Sequence, residues 1–167
     1  EIIIDVTGGG VDVNKRTNDG LVAANVAFPL RLVSAAEKCG ARLLIRIGSW
    51  LEYADTEPSR PVDEDHSVAT HSLYGSSKAA GTLMTHALAR SLDLPLITLR
   101  LFHTFGHGEP PNRLSSVLID RLSKGMPCDL TSGAQVRDMV YAADAANAIT
   151  TVATASPPPP VGVYNVC

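Results

Sequence analysis

The sequence predicts an α/β fold, a parallel sheet flanked by helices, and three observations carry that expectation. Short β-branched runs alternate with longer stretches of helical period along the whole chain. The runs are apolar throughout rather than alternating, as strands covered on both faces are. Clusters of Gly and Pro punctuate the joins. Strands separated by helices of this kind form β-α-β units, and such units assemble a parallel sheet.

The elements follow in order. Ile2-Ile3-Ile4-Asp5-Val6, bounded by Gly8-Gly9-Gly10, is expected to be a buried strand. Opening at Glu1 without Met, inside such a run, the sequence reads as a fragment or a partly ordered protein. Asn18-Asp19-Gly20 supplies an N-cap signal for a helix over residues 21–38, whose Leu21, Val22, Val26, Leu30, Val33 and Ala36 recur on a helical period before Gly40. Pro29 inside it predicts a kink or a local break. Residues 42–49 form a second strand, and the acidic, Pro-containing stretch 52–66 a long solvated loop. A helix over 74–92 leads to a third strand over 94–102, ended by Gly106-His107-Gly108-Glu109-Pro110-Pro111. Residues 113–124 and 142–155 are further helices, with the short segment 128–131 between them. Residues 157–160 are a rigid polyproline spacer before a last strand over 161–166. Ligands of such sheets bind beyond the carboxyl ends of the strands, so site residues should follow Val6, Ile47 and Leu101.

Composition narrows the class. With 167 residues, 45% hydrophobic and 19% charged, the chain is long enough for one domain with a sizeable core. Disorder, collagen-like repeats and coiled coils are excluded. A net charge of −3 of mixed sign gives a nucleic-acid partner little support. No apolar run reaches the roughly 18 residues of a membrane span, so no membrane partner is expected. Cys39, Cys128 and Cys167 are odd in number, far apart and without a C-x-x-C spacing, which implies neither disulfides nor zinc. A reduced, cytoplasmic enzyme is the expectation.

The strongest constellation is Tyr74-Gly-Ser-Ser-Lys78, with Ser49 just past the second strand. Residues four apart share a helix face. An ammonium there lowers the pKa of a neighbouring phenol by favouring phenolate, which can then exchange a proton with a substrate hydroxyl. Ser49 can hydrogen-bond the same oxygen. The plain alternative is an amphipathic helix start with an exposed lysine. His103, His107 and Glu109 have metal-like spacing, but Gly106 and Gly108 break any helical face, and no metal is expected. Gly75-Ser-Ser-Lys-Ala79 is one residue short of a nucleophile elbow, so a hydrolase is not implied.

The ordered blocks IGSWLEY (47–53), YGSSK (74–78), LRLFHTFG (99–106), GAQVRDMVYAAD (133–144) and VYNVC (163–167) carry a resemblance. The chain resembles the extended short-chain dehydrogenase/reductase family, in its NAD-dependent epimerase/dehydratase group acting on nucleotide sugars. The resemblance covers essentially the whole chain, from that family's fourth strand onward. It implies a Rossmann-like sheet with a small C-terminal substrate-binding subdomain, within a single domain 1–167. Roughly 1–105 and 138–155 would form the Rossmann-like part, and roughly 106–137 and 156–167 the substrate part. It further implies Ser49, Tyr74 and Lys78 as the catalytic set, with Ser49 and Tyr53 matching the family's S-x-x-x-Y block. Cofactor contacts, to NAD or NADP, fall to Tyr74, Lys78, Leu101 and His103. Substrate contacts fall to Asn25, Trp50, His103 and Arg137, the last in the G-x-x-x-R-D block that holds nucleotide-sugar phosphates. The plain alternative for Arg137 is a surface ion pair with Asp138.

Two departures stand out. Arg100 is followed by His103 where the family usually has Asn, so that any substrate contact from this position falls to an imidazole hydrogen bond. The G-x-x-G-x-x-G fingerprint is absent: Thr7-Gly8-Gly9-Gly10 has the wrong spacing and lies where the family passes over its cofactor. The N-terminal βαβ with that fingerprint is expected ahead of Glu1, so this stretch alone should bind cofactor poorly.

Dehydratases of the family place an acid pair after the Ser/Thr, where this chain has Trp50 and Leu51. That disfavours sugar dehydration and leaves ketoreduction or epimerisation. The block GSWLEY, with Glu52 just before Tyr53, looks most like the branch that carries out 4-ketoreduction of a nucleotide-bound 4-keto-6-deoxyhexose, with sugar epimerisation as the alternative. A non-catalytic dinucleotide sensor is the alternative of another class. The family also pairs the 21–38 and 74–92 helices in a four-helix bundle, which implies a homodimer.

Overall fold

The computed structural model of the chain describes residues 1–54, 60–70 and 72–167. In chain order come β1 (Ile2–Asp5), α1 (Asn18–Val22), a π-helical stretch (Ala23–Ala27), α2 (Phe28–Lys38), β2 (Leu43–Ser49), a 3-10 turn (Trp50–Glu52) and α3 (Leu73–Ser91). They are followed by β3 (Leu96–Leu101), β4 (His103–Phe105), α4 (Leu114–Ser123), β5 (Met139–Tyr141), α5 (Ala142–Thr154) and β6 (Gly162–Val166). Strands β1, β2, β3 and β6 lie side by side in that order, every pair parallel, so the predicted α/β class with a parallel sheet flanked by helices is what the chain adopts.

Alternation along the central strands splits the core between two faces. Leu44 and Leu96 face α2 and α3, packing with Val33, Ala36 and Ala89. Leu43, Ile45, Ile97 and Leu99 face the other way and meet Ile149 and Val152 of α5. On the α3 side, the same alternation places Arg46, Thr98 and Arg100 beyond those leucines, all buried. The core thus turns polar toward the carboxyl ends of the strands. That polar end is where the candidate residues gather.

Several expectations are corrected. Among the described residues the first strand pairs with β2, with Asp5 buried and Ile4 exposed. The helix cap is Thr17, whose hydroxyl accepts the Gly20 N–H at 3.1 Å, one residue before the predicted signal. The disturbance expected from Pro29 lies just ahead of it, as the π-helical stretch. Strands β4 and β5, a separate parallel pair, were not foreseen, because three-residue strands show no periodicity. Of the predicted 52–66 loop, residues 55–59 lie outside the described residues, and Glu52 is no part of a solvated loop: it is fully buried.

Candidate active site

Ser49 ends β2 beside Leu101, its register partner on β3. Its hydroxyl accepts the Leu51 N–H at 3.2 Å, and its own N–H donates to Glu52 Oε1 at 2.9 Å. This capping box closes the turn after the strand and sets the position of Ser49. The second Glu52 oxygen accepts from Arg100 Nε at 2.9 Å. Arg100 in turn lies over the Tyr53 ring at 4.4 Å, and the Tyr53 hydroxyl donates to Asn165 at 2.7 Å. Arg100 is thus committed to the fold through Glu52 and Tyr53.

Helix α3 begins at a Ser72 cap, whose hydroxyl accepts the Gly75 N–H at 2.9 Å. A Cβ on Gly75 would stand 2.2 Å from the Leu51 carbonyl, so the helix start rests directly on the Ser49 turn. Tyr74, one residue before Gly75, lies close enough to Ser49 for that hydroxyl to favour its phenolate. Burial pushes the phenol above its ordinary value; Ser49, Arg16 and Arg113 pull it back, while Glu52 adds to the rise. Lys78 is only 4% exposed, which rules out an exposed surface lysine. Its ammonium donates to the Ile47 carbonyl at 2.8 Å. Burial, followed by the charge of Arg46, pushes it down to about 8, against Glu52 and Asp5. The expectation that Lys78 lowers the Tyr74 pKa is not met: the phenol is held protonated, and its cationic neighbours are arginines.

Asn25 comes from the π-helical stretch and is buried. Its Oδ1 accepts the Gly9 N–H at 2.9 Å, and its Nδ2 donates to the Gly9 carbonyl at 3.0 Å and to Ser77 Oγ at 2.9 Å. Gly10 has φ +86°, and a Cβ there would come within 2.2 Å of Leu21 and 3.3 Å of Tyr74. The Gly10 carbonyl accepts from Arg16 Nε at 2.9 Å and Nη2 at 2.6 Å, which holds that guanidinium 5.1 Å from the Tyr74 ring centre. The triple glycine is therefore a wall of the site. Arg16 escaped the sequence reading because an arginine in an aperiodic loop carries no signal.

Trp50 stacks on His103, ring centres 4.5 Å apart. His103 Nδ1 is buried without a partner among the described residues, and burial, then the charges of Arg137 and Arg113, keep the imidazole below its ordinary pKa. Arg137 is exposed and donates to the Val136 carbonyl at 2.8 Å. The carbonyl of Asp138 accepts the His103 N–H at 3.2 Å. The chain thus brings Ser49, Tyr74, Lys78 and Asn25 into one buried cluster, with Trp50, His103, Arg113 and Arg137 to one side. Among the described residues no three His, Cys, Asp or Glu side chains group as metal ligands, and Glu109 accepts a hydrogen bond from Ser115 instead. No described helix is long and apolar enough to cross a membrane.

Known proteins share this arrangement of elements. Over 132 residues the chain is 29% identical to CDP-abequose synthase of Salmonella typhimurium, covering 77% of this chain and 40% of that protein. Over 131 residues it is 26% identical to an uncharacterised UDP-glucose epimerase, YtcB, of Bacillus subtilis, covering 78% and 41%. The chain thus spans about two fifths of these relatives' length. The fold of UDP-glucuronic acid 4-epimerase from Bacillus cereus, solved in complex with NAD, superposes with a TM-score of 0.85 at 21% identity, over 99% of this chain and 53% of that one. The NAD dependent epimerase/dehydratase family matches residues 1–167, the full length given, and the chain belongs to that family.

Proposed function

We propose that the full-length protein is a nucleotide-sugar oxidoreductase that reduces the 4-keto group of a nucleotide-bound 4-keto-6-deoxyhexose. The observation that carries this reading is the cluster itself: a half-buried phenol with a buried serine near it and a buried ammonium on the same helix. Trp50 and Leu51 follow Ser49 without any acid or base, which disfavours the elimination of water from the sugar. Ketoreduction and epimerisation both call on Ser49, Tyr74 and Lys78, and the block GSWLEY (48–53) is what favours ketoreduction here.

The residues present fit the nicotinamide end of NAD. A Cβ on Gly8 would stand only 3.6 Å from both Lys78 Nζ and Asn25 Oδ1, so a side-chain-free backbone skirts the ammonium where a ribose would lie. Lys78 and Tyr74 would hold that ribose, with Leu101 and His103 beside it. NAD, when bound and reduced, supplies the hydride that adds to the sugar C4. Tyr74 gives its phenolic proton to the C4 oxygen as the C=O becomes an alcohol, and Ser49 donates a hydrogen bond to that oxygen. Asn25 holds the Gly8–Gly10 wall. Trp50 and His103 face the sugar, and Arg137 clamps the diphosphate.

Residues 106–137 and 156–167 would form the substrate-binding part. Val22, Phe28, Leu73, Leu83 and Met84 are exposed apolar side chains on the two helices that would pair across a homodimer. The three cysteines are free, which suits a reducing, cytoplasmic setting. The test is consumption of NADH or NADPH by the full-length protein in the presence of a 4-keto-6-deoxy sugar nucleotide. Interconversion of C4 epimers without net consumption would instead make it an epimerase. Dinucleotide binding without either reaction would make it a sensor.

A further inference from the structure

Arg46 stands in the middle of β2 with 2% of its side chain exposed, on the face where Leu44 is part of the apolar core. A guanidinium at such a position needs partners. Its Nη1 donates to Thr82 Oγ1 at 2.7 Å, and its Nη2 reaches the backbone carbonyl of Asn25 at 3.4 Å. The second contact is long, but three separate residues are shaped around it.

In a regular helix the Asn25 carbonyl would accept from the N–H four residues on. That residue is Pro29, which has none. The helix passes this point as a π-helical stretch, with the Phe28 N–H on the Ala23 carbonyl. Gly81, facing it from α3, permits the approach: a Cβ there would lie 1.9 Å from the Asn25 carbonyl oxygen and 2.7 Å from Arg46 Nη2. Pro29 offers the Asn25 carbonyl no N–H, Arg46 supplies one, and Gly81 makes the room.

We propose that Arg46 is a positioning residue: by donating to the carbonyl that Pro29 cannot serve, it fixes Asn25 and, through the Asn25 side chain, the Gly8–Gly10 wall over Tyr74 and Lys78. The step from wall to chemistry rests on the function proposed above. The step from Arg46 to Gly9 does not.

The Gly9 amide is the reporter, since it is bonded to Asn25 Oδ1. The measurement is residue-resolved hydrogen exchange on the full-length protein. In Arg46→Met, Gly9 should exchange roughly tenfold faster or more, while Leu44 and Ile97 in the sheet keep wild-type protection, as expected for a local opening. A merely structural role would loosen sheet and Gly9 together. Wild-type exchange at Gly9 with an intact sheet overturns the proposal. If Arg46→Met loses sheet protection as well, Pro29→Ala decides. The restored N–H draws the Asn25 carbonyl back into the helix, so Gly9 should again exchange roughly tenfold faster; unchanged exchange overturns the proposal. Neither readout needs turnover, so an absent ketoreductase activity leaves this result standing.

Discussion

The Arg100 guanidinium meets the Glu52 carboxylate at 2.9 Å, and neither side chain reaches solvent. The other Glu52 oxygen holds the Ser49 backbone N–H, so the ion pair and the candidate site share one carboxylate. Removing one partner of a buried pair costs about 3–5 kcal/mol, because it strands the other charge. Glu52→Ala should therefore lower the melting temperature by roughly 6–20 °C, taking about 2–4 °C per kcal/mol for a domain of this size. Replacing both members, Glu52→Leu with Arg100→Met, should recover much of that loss. Thermal unfolding of the single and double variants checks both expectations, and a single variant as stable as wild type would refute the first.

Lys78 makes stability depend on alkaline pH. Its ammonium titrates near 8 in the fold, against an ordinary 10.5. Between those values the unfolded chain keeps a proton that the folded chain has released, so stability rises with pH across that window. Below pH 8 the cost of burying the charge is present in full. Lys78→Met removes both the cost and the slope. Urea unfolding from pH 7 to pH 10 should show wild-type stability climbing toward that of the variant. A constant difference between the two proteins would mean that Lys78 does not titrate there.

Much of this architecture is legible in residue order, and what is not has physical causes. Apolar runs and helical periods located β2, β3, α3 and the end of α2 to within a few residues, because both faces of those strands and one face of those helices are buried. The Tyr74–Lys78 spacing was legible because one helix carries both residues. Glu52 was misread because its partner Arg100 is 48 residues away, and a carboxylate shows no local trace of a distant guanidinium. Arg16 and Arg46 were missed for the same reason: the contacts that define them, with Gly10, Thr82 and Asn25, exist only once the sheet and helices have packed. The direction of the Tyr74 shift was misjudged because burial outweighs the neighbouring cations, and burial is a property of the packed state.

His86 acts on the acid side. Its Nε2 shares a 2.9 Å hydrogen bond with Thr98 Oγ1, and burial, then Arg46, Arg90 and Arg100, push the imidazole down to about 4 from 6.5. As pH falls from 6.5 to 4, the unfolded chain takes up a proton that the fold refuses, so stability falls across that window. His86→Gln keeps a polar partner for Thr98 but cannot charge. Its urea midpoint should fall less than that of wild type between pH 7 and pH 4. Equal losses would place the acid sensitivity elsewhere.

Tyr74 is where the proposed chemistry is most exposed to test. Phe at this position keeps the ring that packs against Gly10 and Arg16 but removes the proton beside Ser49. A positioned general acid contributes about 10²- to 10⁴-fold, so Tyr74→Phe should lose kcat on that order with little change in KM. Lys78→Met should differ in kind, lowering kcat and also weakening dinucleotide affinity, because the ammonium that would hold the ribose is gone. The assay is turnover by the full-length protein with reduced nicotinamide and a 4-keto-6-deoxy sugar nucleotide, paired with dinucleotide titration. Wild-type turnover in Tyr74→Phe would show that the proton comes from another group. Since Ser49 and Tyr74 are the candidate donors at this end of the sheet, Ser49→Ala would then be expected to carry the loss instead.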